Sequence, residues 1–369
     1  MIFLADNQRS MRTPTAHNMI SRLDLLRSRM LKATLKVSFC REIFQSRSKR
    51  IFFMGLTAMS IYFVVSLFFP IWVLFLGPIV WGVPHLISSL RYNTNTPFSK
   101  RKKLVLFQSF IWLAVFAYRI TVDIFQIPIF FSDIPLLFEV ICLAVAFLFQ
   151  VIINRRVNIQ IFFYFTLFAT LLFLTYRYPI QTALFLLIGH NYVPLFSWFK
   201  SCQDRQDIRT FFLLSALYFL LSLILLLGLL EPFYSYFSPV KNVTFLKWEY
   251  TDIANSLGAS PSDYPFWFRI VSLYAFSQAI HYFLWIKAIP ENFLPQQFPP
   301  SFKWSLQKLK NDFGSGSVLI LIGLMVTGTA YWLFFEFQSA RLFYFSVASY
   351  HGFLELSALP FLTSNRLRK

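Results

Sequence analysis

Long apolar runs dominate the chain, in place of the narrow apolar stripes of soluble surface helices. They fall at about 51–69, 71–90, 104–118, 134–153, 159–175, 180–199, 211–230, 266–288, 317–335 and 342–362. A helix needs roughly 17–25 apolar residues to cross a bilayer, so ten spans are expected, with 104–118 the shortest. Pro70, Pro179 and Pro265 mark breaks between or before runs. No alternating strand pattern dominates, which argues against a membrane β-barrel. The expected class is all-α: a polytopic helical membrane bundle over residues 51–369 behind a basic tail, residues 1–50.

Charge supplies the orientation. The net charge is +18, but 11 of the 34 Lys and Arg lie in residues 1–50 and most others lie in short loops. Placing the tail in the cytoplasm puts 28 of the 34 on that side. Arg119, Arg177, Lys241, Lys247, Arg269 and Arg341 are then the outer cations. This asymmetry predicts both ends inside. It also ascribes the charge to membrane orientation and lipid attraction, with no nucleic-acid partner. In the tail, Arg22, Arg27, Arg29, Lys32 and Lys36 alternate with Leu23, Leu26, Met30 and Val37, the pattern of a basic helix lying on a membrane. The first apolar run is long enough to span, so no cleaved leader is expected. A bacterial inner membrane is the expected location. Cys40, Cys142 and Cys202 are far apart and form no CxxC pair, so neither a disulfide framework nor a thiolate metal site is expected.

Four of the five histidines lie inside apolar runs: His85, His190, His281 and His351. Ionisable groups at membrane depth are costly and are usually functional. In the ten-span scheme all four sit on helices running from outside to inside. They lie about 5, 9, 6 and 11 residues before the cytoplasmic ends, a spread of roughly 9 Å at 1.5 Å per residue. Helix tilt could absorb much of that, so one site in the cytoplasmic half of the bilayer is possible.

Neighbouring residues add to the picture. Glu355 stands four residues after His351 and shares its helix face, where it could bind a metal or orient an imidazole. Gln278 precedes His281 by one turn, and Asn191 and Tyr192 follow His190. Arg91 and Tyr92 close the second run and are candidates for contact with a polar substrate end or with Glu355, or for plain cytoplasmic anchoring. Pro84 and Pro194 loosen the helices beside two of the histidines. Glu139, near an outer helix end, could simply reach the interface. Asn242-Val-Thr matches a common glycosylation triplet. Phosphate loops, HExxH and nucleophile elbows are absent from the sequence.

The windows GVPHLISSLRY, LIGHNYV, QAIHYFLW and YHGFLE resemble, in order, the histidine motifs of the Brp/Blh-type membrane β-carotene dioxygenases. They are also similar to motifs of bacterial multi-pass proteins that carry GVPH, HN, HYxxW and YHGxxE. The first resemblance implies His85, His190 and His281 as iron ligands with His351 a fourth. The chain departs from that family at two points. Ser88 and Ser89 stand where the first motif runs to an acid, and Trp285 stands where the third has a second histidine.

These readings give one leading expectation. His85, His190, His281 and His351 hold a transition metal, Fe(II) by preference. Glu355 is catalytic or orienting, and Arg91, Tyr92, Asn191 and Gln278 surround the substrate or the ligands. The reaction expected is oxygenation of an apolar lipid or isoprenoid, with membrane lipid as the other partner. The alternative is a proton- or ion-coupled transporter using the same His and Glu groups as a relay. Haem held by histidine pairs is a third reading.

Overall fold

The computed structural model describes residues 14–92, 107, 110, 111, 113–129, 131, 134–154, 159–230, 242, 243, 248, 249, 264–293, 301–314, 316, 352, 355 and 356. The described chain is helical apart from one antiparallel pairing of two-residue strands, Asn242–Val243 with Trp248–Glu249. In chain order the helices are α1 (Pro14–Thr34), α2 (Ser38–Gln45), α3 (Arg47–Phe68), α4 (Pro70–Gly77) and α5 (Val83–Tyr92). Next come α6 (Leu113–Val122), α7 (Pro135–Asn154), α8 (Ile159–Arg177), α9 (Pro179–Gly189), α10 (Pro194–Ser201) and α11 (Arg205–Leu227). Then α12 (Tyr264–Phe283), α13 (Ile289–Phe293) and α14 (Phe302–Phe313) follow. The runs expected at 317–335 and 342–362 lie outside the described residues except for Gly352, Glu355 and Leu356, and the run at 104–118 is described only in part.

Among the described residues, three helices are long and apolar enough to cross a membrane: Arg47–Phe68, Pro179–Ser201 and Arg205–Leu227. Helix α11 shows how. Asp204 caps it by accepting from the Asp207 backbone N–H at 2.8 Å, and Gly228, at φ 67°, ends it in the left-handed region that glycine adopts freely. Its buried residues include Thr210, Leu214, Ser215, Tyr218, Ser222 and Leu225, a stripe at helical spacing that carries small and polar groups inward. Phe212, Phe219, Leu220 and Leu223 are exposed on the other side. Polar inside and apolar outside is the polarity of a membrane bundle, where helices associate through packing and hydrogen bonds.

Helix α12 occupies the centre. It packs against α3, α4 and α11, and Val271, Ala275, Phe276 and Ile280 are fully buried. A helix buried all round is a core element. Close approach requires small residues on the partners. At Gly55 of α3 an added Cβ would stand 2.6 Å from Leu214 Cδ1 of α11. Gly55→Val is therefore expected to cost about 1–3 kcal/mol by overpacking, measured as a lower unfolding midpoint in detergent. Partial recovery is expected in the Gly55→Val, Leu214→Ala double variant. An unchanged midpoint would mean that the two helices separate at no cost.

Ion pairs fasten both ends. At one end, the Arg50 guanidinium meets Glu291 at 2.8 Å and Lys287 meets the same carboxylate at 2.6 Å. Arg47 pairs with Asp207, which also accepts from Ser48 Oγ at 2.6 Å. Gln203 donates to the Asn292 carbonyl at 2.5 Å. The start of α3, the start of α11 and the end of α12–α13 thus share one end. These are segments whose charges pointed to the cytoplasm. Arg50 belongs to α3, which begins at Arg47, so the tail ends earlier than residue 50. At other helix ends, Arg119 of α6 pairs with Glu139 of α7. Glu139 is buried and paired.

Candidate functional site

His85, His190 and His281 each sit where regular helix gives way. His85 follows a π-helical turn, Pro78–Gly82, that separates α4 from α5. His281 stands just before another, Leu284–Ala288, that continues α12. His190 opens a short 3-10 turn, His190–Tyr192, between α9 and α10. Turns with i→i+5 bonds cluster at functional sites because the extra residue re-aims side chains. Pro78, Pro84 and Pro194 flank these breaks and remove backbone donors there.

The three rings converge. The ring centroids of His85 and His281 are 5.4 Å apart, and those of His190 and His281 are 5.3 Å apart. His281 is therefore the hub, although His85 and His351 carried the more distinctive sequence context. Glu355, from the far end of the chain, brings its Oε1 to 3.6 Å from His281 Nε2. His281 is 1% exposed and Glu355 is fully buried. His351 lies outside the described residues.

Carbonyls fix two of the rings. His85 Nδ1 lies 3.0 Å from the Trp81 carbonyl oxygen and His190 Nδ1 lies 3.3 Å from that of Leu186. A carbonyl only accepts, so each Nδ1 carries the proton and donates it. In the neutral ring Nε2 then carries the lone pair, the state in which a backbone acceptor typically holds a metal-binding imidazole.

The residues around the carboxylate are those where the chain departs from the dioxygenase motifs. Ser89 and Trp285 stand beside the Glu355 carboxyl. His190 also lies within electrostatic range of this carboxylate. Ser88 Oγ donates to the Trp285 carbonyl and ties α5 to the π-helical turn after His281.

Asn191 is buried and donates to Ser277 Oγ at 3.1 Å, which seats the 3-10 turn against α12. Gln278 donates to the Tyr282 hydroxyl at 2.8 Å. Tyr192 faces away from the cluster: its hydroxyl donates to Ser222 Oγ at 2.8 Å, and its ring stacks 4.7 Å from that of Tyr218. Arg91 and Tyr92 stand at the end of α5, about 9 Å beyond His85 at 1.5 Å per residue. The Arg91 guanidinium lies 5.1 Å from the Tyr92 ring centre, and Tyr92 stacks on Phe293 at 5.1 Å. These contacts belong to the end of the bundle, as anchoring would have them.

Tyr282 escaped sequence reasoning. Its ring centroid is 4.5 Å from that of His85, and Gly77 makes room for it, since a Cβ there would stand 3.0 Å from Tyr282 Cε2. The only signal was its position beside His281 in a chain with 17 tyrosines.

Among the described residues no group of three or more His, Cys, Asp or Glu is drawn together closely enough to hold a metal ion as it stands. Comparison with protein-family models, curated proteins and solved structures finds no match.

Proposed function

We propose that this helical, membrane-associated chain is a ten-span inner-membrane oxidoreductase with both ends in the cytoplasm. Its buried centre of His85, His190, His281 and Glu355 would hold Fe(II), with His351 as the further ligand, and would act on an apolar lipid or isoprenoid. The observation that carries this reading is the convergence of the three imidazoles and the carboxylate from four separate stretches of sequence.

The donor chemistry fits a transition metal. Neutral imidazoles with a carboxylate are the ligand class that non-haem iron uses. The 3.6 Å between His281 Nε2 and Glu355 Oε1 is too long for a hydrogen bond. A shared ion would hold the two groups beside each other in place of that bond. When bound, the metal would supply dioxygen activation at an open position. The protein's own groups present the Nε2 lone pairs of His85 and His190, hold a carboxylate beside His281, and wall out water with Tyr282 and Trp285. The ten-span scheme draws support from the shared end of α3, α11 and α12–α13, where charges assigned to the cytoplasm meet.

Metal analysis of detergent-purified protein tests the proposal. About one equivalent of iron, or of zinc in its place, is expected in a single site that keeps a position open. Protein that arrives without metal and regains none on incubation with iron or zinc overturns it. The close approach of His281 to Glu355, with rings on both sides, also suits a proton relay. Proton flux in liposomes that is lost in His281→Ala, from metal-free protein, would establish that second reading.

A further inference from the structure

Helices α1 and α14 are separated by most of the chain, yet they pack together. Asp24 of α1 fastens them. Its carboxylate accepts from the Phe302 backbone N–H at 2.7 Å and from that of Lys303 at 3.1 Å, capping the start of α14. A carboxylate at a helix N-terminus meets both the free N–H groups and the positive end of the helix dipole. Asp24 is the one acid in α1. With its charge committed to the cap, the paired helices present exposed cations: Arg22, Arg29, Lys32, Lys303, Lys308 and Lys310.

Beside these cations runs an apolar stripe that no described residue covers. Met19, Leu23, Leu26 and Met30 are 61%, 41%, 56% and 63% exposed, at the 4, 3, 4 spacing of one helix face. The pair is also held near the membrane. Helix α2 follows α1, and the Phe39 ring of α2 meets Phe53 of the membrane-crossing helix α3 at a centroid distance of 5.4 Å.

We infer that α1 and α14 form a two-helix platform that docks on the anionic headgroup face of the bilayer in which the protein sits. The stripe enters the headgroup and acyl boundary while the cations meet lipid phosphates, the arrangement of interfacial helices. The basic tail helix foreseen in the sequence is half of this surface. The other half comes from the segment after α13 and is set in place by Asp24.

The test uses the full chain in nanodiscs of phosphatidylcholine alone and in discs containing phosphatidylglycerol. Amide hydrogen exchange is read over residues 14–34 and 302–313. Exchange about tenfold slower in the anionic discs is expected, since each basic residue near such a surface adds attraction. The Arg22→Gln, Arg29→Gln, Lys32→Gln variant should lose that difference, and inorganic phosphate added to phosphatidylcholine discs should not reproduce it. Asp24→Asn should speed exchange over 302–313 in both discs. Equal exchange in the two discs overturns the inference. So does protection that depends on protein concentration, which would assign the surface to a second copy.

Discussion

His281→Ala is expected to abolish metal retention, with a loss of affinity greater than the roughly 100-fold that removal of an outer-shell partner can cause. The size follows from its place as the hub, with the rings of His85 and His190 at 5.4 and 5.3 Å and the Glu355 carboxylate at 3.6 Å. Removing His85 or His190 takes away one end of the array. Removing His281 takes away its middle and leaves Glu355 buried against a cavity. Metal stoichiometry in His281→Ala, His85→Ala and His281→Gln, with helical content as the control for folding, measures this. Full metal retention in His281→Ala would show that the convergence is structural.

Arg50→Ala is expected to destabilise the protein by about 3 kcal/mol, the low end for breaking a buried ion pair. The low end applies because Lys287 still meets Glu291 at 2.6 Å. Arg50 and Glu291 have side chains 1% and 2% exposed, so the carboxylate oxygen that Arg50 leaves has little water to turn to. Replacing both, as Arg50→Met with Glu291→Leu, should recover most of the loss, because neither charge is then left buried.

The same cluster sets a pH dependence. Burial pushes the Glu291 carboxyl upward, but the Lys287 charge and hydrogen bonds from Arg50 and Lys287 outweigh it and hold it below the ordinary 4.5. A carboxyl depressed by folding stabilises the native state fully above its unfolded value and loses that contribution as pH falls through the folded value. The unfolding midpoints of wild type and Glu291→Gln should therefore differ near neutral pH and converge on acidification below about 4.5. A gap that stays constant through that range would remove Glu291 as the titrating group.

Much of the helical layout was legible because membrane insertion writes itself in composition. Helix α11 begins at a capped Asp204 and ends at Gly228, close to the run marked by hydropathy. The starts of α3 and α11 and the end of α12–α13 meet at one end, and the Lys and Arg count had grouped these same segments. Depth was less legible. Counting residues to the helix ends spread the histidines over several ångströms. The counting assumed regular helix, whereas π-helical turns lie beside His85 and His281 and a 3-10 turn holds His190. Each break changes the rise and rotates the following side chains. The hub role of His281 and the part played by Tyr282 were hidden for the same reason. The pairing of Glu139 with Arg119 was hidden because the two stand 20 positions apart in sequence.

The burial of α12 from Ile270 to Tyr282 has a consequence for synthesis. With Arg269, Gln278 and His281 along it, this helix is a poor candidate to enter lipid alone, since charged and polar groups in a lone helix resist insertion. The chain emerges from the ribosome N-terminus first. By the time α12 appears, its partners α3, α4 and α11 have all been made. The order of the segments thus gives α12 a protein-lined berth to enter, and delivers His281 after His85 and His190, into a place where those two are already waiting.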